Sequence, residues 1–328
     1  MKNNFISQNF LFLCFLTLSI FISISSNSMF GIWMGLEINM VSILPIFFMQ
    51  ENSKIDKSIM IYFLIQSISS MILMMAFMMM SVFLMNKNLF ITMIITSIFL
   101  KMGFFPFQFW VPTVMEGLSW MSCFILLTIQ KILPMMILFM ITTQKTILII
   151  CMLNSILASI GGVTQFSLRK IMSFSSMNHL SMIVLTIFLS KMMFKVYLYI
   201  YTIMSMFSFI YFTKLNMNNL NQTFYSKKNY SYLNITPILI ILNMAGTPPL
   251  LGFFPKMMVI LKLLELNMLL ISIVILTFNV LATFFYLRLT LSNFFMSMFT
   301  LKFFKKKKSH WVNIFSIFLI LSPVVFFL

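Results

Sequence analysis

Four ionisable side chains sit where hydrocarbon should exclude them. Glu37 lies inside the apolar run 29–49, and Lys101, Lys131 and Lys256 lie inside three other apolar runs. A charge at mid-bilayer costs about 2.5–3.5 kcal/mol on insertion scales. Glu37 is about eight residues into its run, roughly 12 Å deep at 1.5 Å per residue. Lys101 is about twelve residues into its run, roughly 18 Å, and Lys131 about thirteen. Buried amines beside a carboxylate can handle protons without metal or cofactor. Burial favours the neutral amine and a nearby carboxylate favours the ammonium, so moving the two together or apart loads or releases a proton. The ordinary alternative for each Lys is snorkelling to the interface, easiest for Lys256 because Lys262 and Glu265 mark an interface close by. For Glu37 it is a structural pair with a neighbouring helix. His179, in Ser175-Ser-Met-Asn-His179, is a weaker proton-carrying candidate, and a hydrogen-bonded structural His is the alternative. Arg288 is expected to snorkel, and Glu116 to be solvated or capping.

The elements that must position these groups are membrane spans. The chain has 328 residues, 61% hydrophobic and 8% charged, where a soluble domain carries about 25% charged residues. Polar punctuation predicts an all-α polytopic membrane protein of about eleven helices. The spans are roughly 5–26, 29–49, 57–85, 89–112, 118–142, 145–166, 171–190, 193–215, 233–262, 267–290 and 310–328. Lys2, the apolar stretch and the small residues up to Ser28 resemble a signal peptide, but the stretch is long enough to span and is read as the first helix. Net charge is +17, yet the cations fall mostly in short loops, which fits topology signals and argues against nucleic-acid binding. Loops on the N-terminal side hold thirteen cations, including Arg169, Lys170 and the run Lys305 to Lys308, against five on the other side. The N-terminal side is therefore expected to face the inner compartment, and the C-terminus the opposite one. The polybasic run is expected to be a topology anchor, with anionic lipid as the sharper possibility.

Two spans carry breaks beside their lysines. Gly103-Phe-Phe-Pro106 follows Lys101, while Gly246-Thr-Pro-Pro249 and Gly252-Phe-Phe-Pro255 precede Lys256. Pro removes a backbone hydrogen bond and Gly weakens the turn, so freed carbonyls must face protein or a wet cavity. An ordinary Pro kink is the alternative at either site alone. The broken spans are fourth and ninth, so repeats of five helices would have opposite topology, an inverted repeat of the transporter kind. The expected organisation is one transmembrane domain (1–328). One repeat covers about 5–142, the second about 145–290, and the final helix 310–328 is appended. Cys14, Cys123 and Cys151 lie far apart, and neither a CxxC, a GxGxxG nor a GxxxxGK[ST] motif occurs, so no redox cluster, zinc or nucleotide is expected on this chain.

Several blocks together resemble the mitochondrial NADH dehydrogenase subunit 2 family, antiporter-like membrane subunits of respiratory complex I. Trp33-Met-Gly-Leu-Glu-Ile-Asn39 is similar to the family's W-x-G-L-E-x-N stretch. The segment from Lys101 to Trp120, ending Met-Glu-Gly-Leu-Ser-Trp, resembles its K-x-G-x-x-P-F-H-F-W…M-E-G-L-S-W block. Gln130-Lys-Ile-Leu-Pro134, Ser175-Ser-Met-Asn-His-Leu180 and Gly246-Thr-Pro-Pro-Leu-Leu-Gly-Phe-Phe-Pro-Lys256 resemble further family segments. The resemblance implies a proton-pumping subunit of a mitochondrial inner-membrane NADH:ubiquinone oxidoreductase. Its partners would be the other membrane-arm subunits, with lipid such as cardiolipin suggested separately by the run Lys305 to Lys308, and the electrons would be carried elsewhere in the complex. The family's coupling residues fall on Glu37, Lys101, Lys131 and Lys256, as pKa-setting partner, switch, relay and exit site. Gln108 stands where the family usually has His, and Thr113 where Glu is usual. The composition, with 35 Met and 41 Phe but eight Gly, fits an A/T-rich organelle genome.

Overall fold

The structure is a computed structural model that describes residues 2–48, 53–82, 87–141, 146–215, 217–219 and 235–299. Long runs of Leu, Ile, Phe and Met form helices, and Gly, Pro and polar clusters end them. Secondary structure in the described residues is helical apart from one isolated bridge, Ser167 with Asn219. Among the described residues, seven helical stretches are long and apolar enough to cross a membrane, Trp120–Met140 counted as one. The chain divides into two compact units, residues 1–143 and 144–328.

The first unit contains α1 (Lys2–Ser25), α2 (Met29–Phe48), α3 (Ser53–Val82), α4 (Lys87–Met102), α5 (Trp110–Gly117), α6 (Trp120–Leu127) and α7 (Ile129–Ile141). α1 lies tightly on α2 because the contact uses small residues: a Cβ on Gly35 would fall 2.7 Å from Ser23 Cβ and 3.0 Å from Ser19 O. α3 packs against α2, α4 and α5, and so stands at the centre of the unit. The expected fourth span is interrupted, as its Gly and Pro require: α4 stops at Met102 and α5 begins at Trp110. The expected fifth span is one stretch long enough to cross, Trp120–Met140, with a one-residue interruption at Thr128 between α6 and α7 that the sequence does not mark. At Thr128 the backbone N–H (3.1 Å) and Oγ1 (2.7 Å) both donate to Phe124 O, Lys131 N–H turns back to Thr128 O (3.1 Å), and Pro134 has no N–H for Gln130 O.

The second unit contains α8 (Thr146–Val163), α9 (Leu168–Leu189), α10 (Lys191–Leu215), α11 (Ile235–Ala245), α12 (Phe253–Glu265) and α13 (Leu269–Phe299). α9 is buried along nearly its whole length, against α8, α10, α12 and α13. The ninth expected span is the pair α11 and α12, parted where Gly246 to Gly252 predict. The tenth runs on to Phe299, well past the expected end at 290. The span expected at 310–328 and the polybasic run lie outside the described residues.

Candidate functional site

In the first unit the break after α4 is built by glycine and closed by side chains. Gly103 is left-handed (φ 67°), and a Cβ there would come within 2.2 Å of Val111 Cγ2. Three carbonyls freed at the end of α4 find donors inside the protein. Phe99 O accepts from Phe104 N (2.9 Å), Leu100 O from Trp110 Nε1 (3.1 Å) and Lys101 O from Gln66 Nε2 (3.2 Å). An apolar medium demands this, because water is not there to take unused backbone groups. Lys101 is 6% exposed and sits in the last turn of α4, where the helix dipole favours a cation. Glu37, half-buried on α2, is within electrostatic reach of Lys101. Its Oε1 is buried and makes no hydrogen bond among the described residues. The two groups act on each other through space.

A polar network ties the three charge-bearing segments of this unit together. Gln130 Nε2 donates to Asn39 Oδ1 (3.1 Å), and Gln130 Oε1 accepts from Tyr62 OH (3.2 Å). Asn39 is two residues from Glu37; Gln130 is next to Lys131, which is 3% exposed in the first turn of α7. Tyr62 and Gln66 lie one turn apart on α3, so a single helix face holds both the Lys131 and the Lys101 segments. Sequence reasoning missed Tyr62 and Gln66. Their signal was two long hydrogen-bonding side chains at i and i+4 in a span whose other polar residues beyond Ser58 are serines. Gln108, 2% exposed in the break, has an Oε1 that meets no partner among the described residues.

In the second unit the break is closed by ionisable groups. Gly246 is left-handed (φ 74°), and its N–H covers Leu242 O and Asn243 O, both at 3.1 Å. Gly252 lies so close to the end of α11 that a Cβ would fall 1.9 Å from Asn243 O, and its N–H donates to Asn243 Oδ1 (2.9 Å). The next two carbonyls are Met244 O, which accepts from His179 Nε2 (3.2 Å), and Ala245 O, which accepts from Lys256 Nζ (2.8 Å). A carbonyl can only accept, so the His179 proton is on Nε2. In the neutral ring Nδ1 then accepts from Tyr197 OH (3.1 Å). Lys256, 8% exposed, turns inward to the backbone and does not extend toward an interface. Gly246 makes the room: a Cβ there would sit 3.0 Å from Lys256 Nζ. His179 and Lys256 thus bond successive carbonyls of one helix end and lie within electrostatic reach of each other.

The structure brings Glu37, Lys101 and Lys131 into the first unit's polar centre, and His179 and Lys256 into the second's. Arg288, expected to snorkel, instead caps the end of α8 by donating to Val163 O and Gln165 O, with its guanidinium 5.6 Å from the Phe166 ring centre. Among the described residues no three His, Cys, Asp or Glu side chains gather as a metal site would require.

A family model described as NADH:quinone oxidoreductase/Mrp antiporter, transmembrane, matches residues 26–286. The chain is 38% identical over 303 residues to the NADH-ubiquinone oxidoreductase chain 2 of Anopheles gambiae, covering 88% of this chain and 87% of that protein. It is 35% identical over 300 residues to the chain 2 of Locusta migratoria, covering 89% and 86%. It also shares its fold with a chain of the respiratory complex I from Thermus thermophilus with bound aureothin. The TM-score is 0.79 at 14% identity, over 97% of this chain and 79% of that one.

Proposed function

The chain belongs to the NADH-ubiquinone oxidoreductase chain 2 family, and on that premise we propose that it moves protons as a membrane subunit of that complex, through its own buried charges. One observation carries the assignment of the residues. Lys101, Lys131 and Lys256 are each at most 8% exposed, and each lies within a turn or so of a helix interruption inside an apolar stretch. A continuous helix would offer such a lysine neither spare carbonyls nor space.

Glu37 sets the charge state of Lys101 through space. Lys101 is the switch and Lys131 the relay of the first unit. Lys256 is the exit-side station of the second, with His179 beside it. A proton reaching His179 through Tyr197 arrives at Nδ1, and the ring can release the one on Nε2 toward Lys256; the imidazole ends neutral with its tautomer reversed. The chain is multi-pass in the mitochondrial inner membrane. The loop charge bias supports an N-terminus on the matrix side and a C-terminus on the intermembrane-space side. Electrons travel on other subunits, with which this one assembles, and this chain binds no cofactor. The run Lys305 to Lys308 is suited to anionic lipid such as cardiolipin.

The test is proton pumping by complex assembled with Glu37→Gln and Lys101→Met together, sealed in vesicles and driven by NADH. The expected result is lost pumping in a complex that still assembles; full pumping overturns the relay. The family description also names the Mrp antiporter, which raises a second reading, a free-standing cation/proton antiporter. That reading requires ion exchange by the purified chain alone, and we expect none.

A further inference from the structure

We propose that the seam between α9 and α13 is a hydrated lane that delivers protons to His179, with Asn178 and Tyr286 holding its water. The inference rests on the proton-translocation reading above. It adds a route and the residues that would form it.

α9 presents two polar faces side by side. Ser175 and Asn178 are three residues apart and share one face; Ser176 and His179 share the next. The first face meets α13, where Asn178 Nδ2 donates to Asn279 Oδ1 (2.9 Å). Asn279 and Tyr286 are seven residues, about two turns, apart on the same side of α13. Ser175 lies beside the Tyr286 hydroxyl without meeting it in hydrogen-bond geometry. The second face meets α10 and the end of α11, where Tyr201 stands beside Ser176 and His179 holds Tyr197 and Met244 O. Tyr286 is within electrostatic reach of both Tyr197 and Tyr201, so it belongs to both faces.

Two buried polar atoms on these faces stand apart from the rest. The serines of α9 are satisfied locally: Ser175 donates to Met172 O and Ser176 to Ser173 O, both at 2.7 Å. Asn178 Oδ1 and the Tyr286 hydroxyl, in residues 4% and 2% exposed, meet no partner among the described residues. Turning the amides over does not remove the problem. With Asn279 donating to Asn178, the Nδ2 of Asn178 becomes the unmatched atom, and Asn279 Oδ1 faces the sulfur of Met182. A buried polar atom left unmatched costs about 1–3 kcal/mol, and bound water is the usual remedy, making two to four bonds to such groups. Interhelical glue is the competing account of an Asn pair in a membrane. Glue needs the single amide bond. It does not need a second unmatched oxygen on Asn178, or an unmatched hydroxyl on Tyr286 two turns from Asn279.

Water held between Asn178 and Tyr286 gives a donor–acceptor chain that passes Tyr201 and Tyr197 and ends at His179 Nδ1. Each oxygen takes one proton and gives up another, so the lane is unchanged and the imidazole gains the proton. Asn178 and Asn279 do not titrate. They are positioning residues.

Radiolytic hydroxyl-radical labelling of the assembled complex should modify Tyr286 despite its burial, because the radical forms from bound water. The label should fall several-fold in Asn178→Leu/Asn279→Leu. In vesicles, protons moved per electron should fall several-fold in that double variant and in Tyr286→Phe. Asn178→Ser should restore most of the loss, since serine is too short to reach Asn279 but can hold water. Glue predicts the reverse: Asn178→Ser assembles poorly, and every variant that assembles pumps fully. An unlabelled Tyr286, or full pumping by the double variant, overturns the lane. Lys256→Met in parallel keeps the two readings apart. If Lys256→Met stops pumping and the seam variants do not, the lane alone fails; if Lys256→Met pumps normally, translocation through this unit fails and the lane with it.

Discussion

The two helix breaks meet the same problem with different donors. In the first unit the freed carbonyls of Leu100 and Lys101 are taken by Trp110 and Gln66, which never titrate. In the second unit those of Met244 and Ala245 are taken by His179 and Lys256, which do. The first break therefore keeps its shape whatever the charge on Lys101. The second is held by the groups whose protonation changes, so its geometry and its charge state are coupled. A cation at the C-terminal end of α11 also gains from the helix dipole, and loses that gain when the proton leaves.

The largest effect should separate the two lysines. Lys256→Met leaves Ala245 O without a donor in an apolar interior, a cost of about 1–3 kcal/mol, and removes the charge as well. Lys101→Met leaves Phe99 O, Leu100 O and the carbonyl at 101 with their donors. Both should stop pumping, but Lys256→Met should also reduce the amount of intact complex on native gels, while Lys101→Met should assemble close to normally. Equal assembly of the two variants would break the contrast.

The glycines come next. An l-residue in the left-handed region costs about 1–2 kcal/mol, so Gly103→Ala and Gly246→Ala share that term. They differ in what the new methyl meets. At 103 it is Val111 Cγ2 at 2.2 Å, part of a packed wall. At 246 it is the Gly252 carbonyl oxygen and the end of the Lys256 side chain, all at 3.0 Å. Gly103→Ala should lower the melting temperature of the complex more, with Val111→Ala restoring part of the loss. Gly246→Ala should cost less stability and more pumping, because it displaces an ammonium.

Trp110→Phe tests the neutral donors. It removes the shorter of the two donors to Leu100 O, leaving Gly103 N–H at 3.3 Å, and keeps most of the ring, at a cost of about 1 kcal/mol for the one lost bond. Melting should fall with little change in protons per electron. A lost proton ratio at unchanged stability would mean that the first break also reports to the chemistry.

These contrasts were only partly legible in the sequence. The buried charges stood out because apolar runs leave them no company, and Gly with Pro marked the breaks at 103 and 246. Thr128 gave no such mark: a threonine in an apolar run more often lies quietly in a helix, and here its hydroxyl only joins its own N–H on Phe124 O. Partners were harder still. That Gln66 reaches Lys101 O across 35 positions, or His179 reaches Met244 O across 65, depends on tertiary packing that periodicity does not encode. Arg288 was misjudged for the same reason, since its acceptors at 163 and 165 lie on the far side of the unit's sequence.

The smallest expected effect is the sharpest control. Lys262 lies six residues after Lys256 on α12 and pairs with Glu265, with side chains 40% and 61% exposed. An exposed pair at i and i+3 gains little, because water screens it and ordering two long side chains costs entropy. Lys262→Ala should shift stability by no more than about 0.5 kcal/mol and leave protons per electron unchanged. The same residue type on the same helix would then be dispensable at 262 and indispensable at 256. Helix, net charge and residue type are common to both positions, so the difference would rest on burial and on the Ala245 carbonyl. If Lys262→Ala slowed pumping as Lys256→Met does, the requirement would be for positive charge along α12 in general, and the special place of the break would be lost.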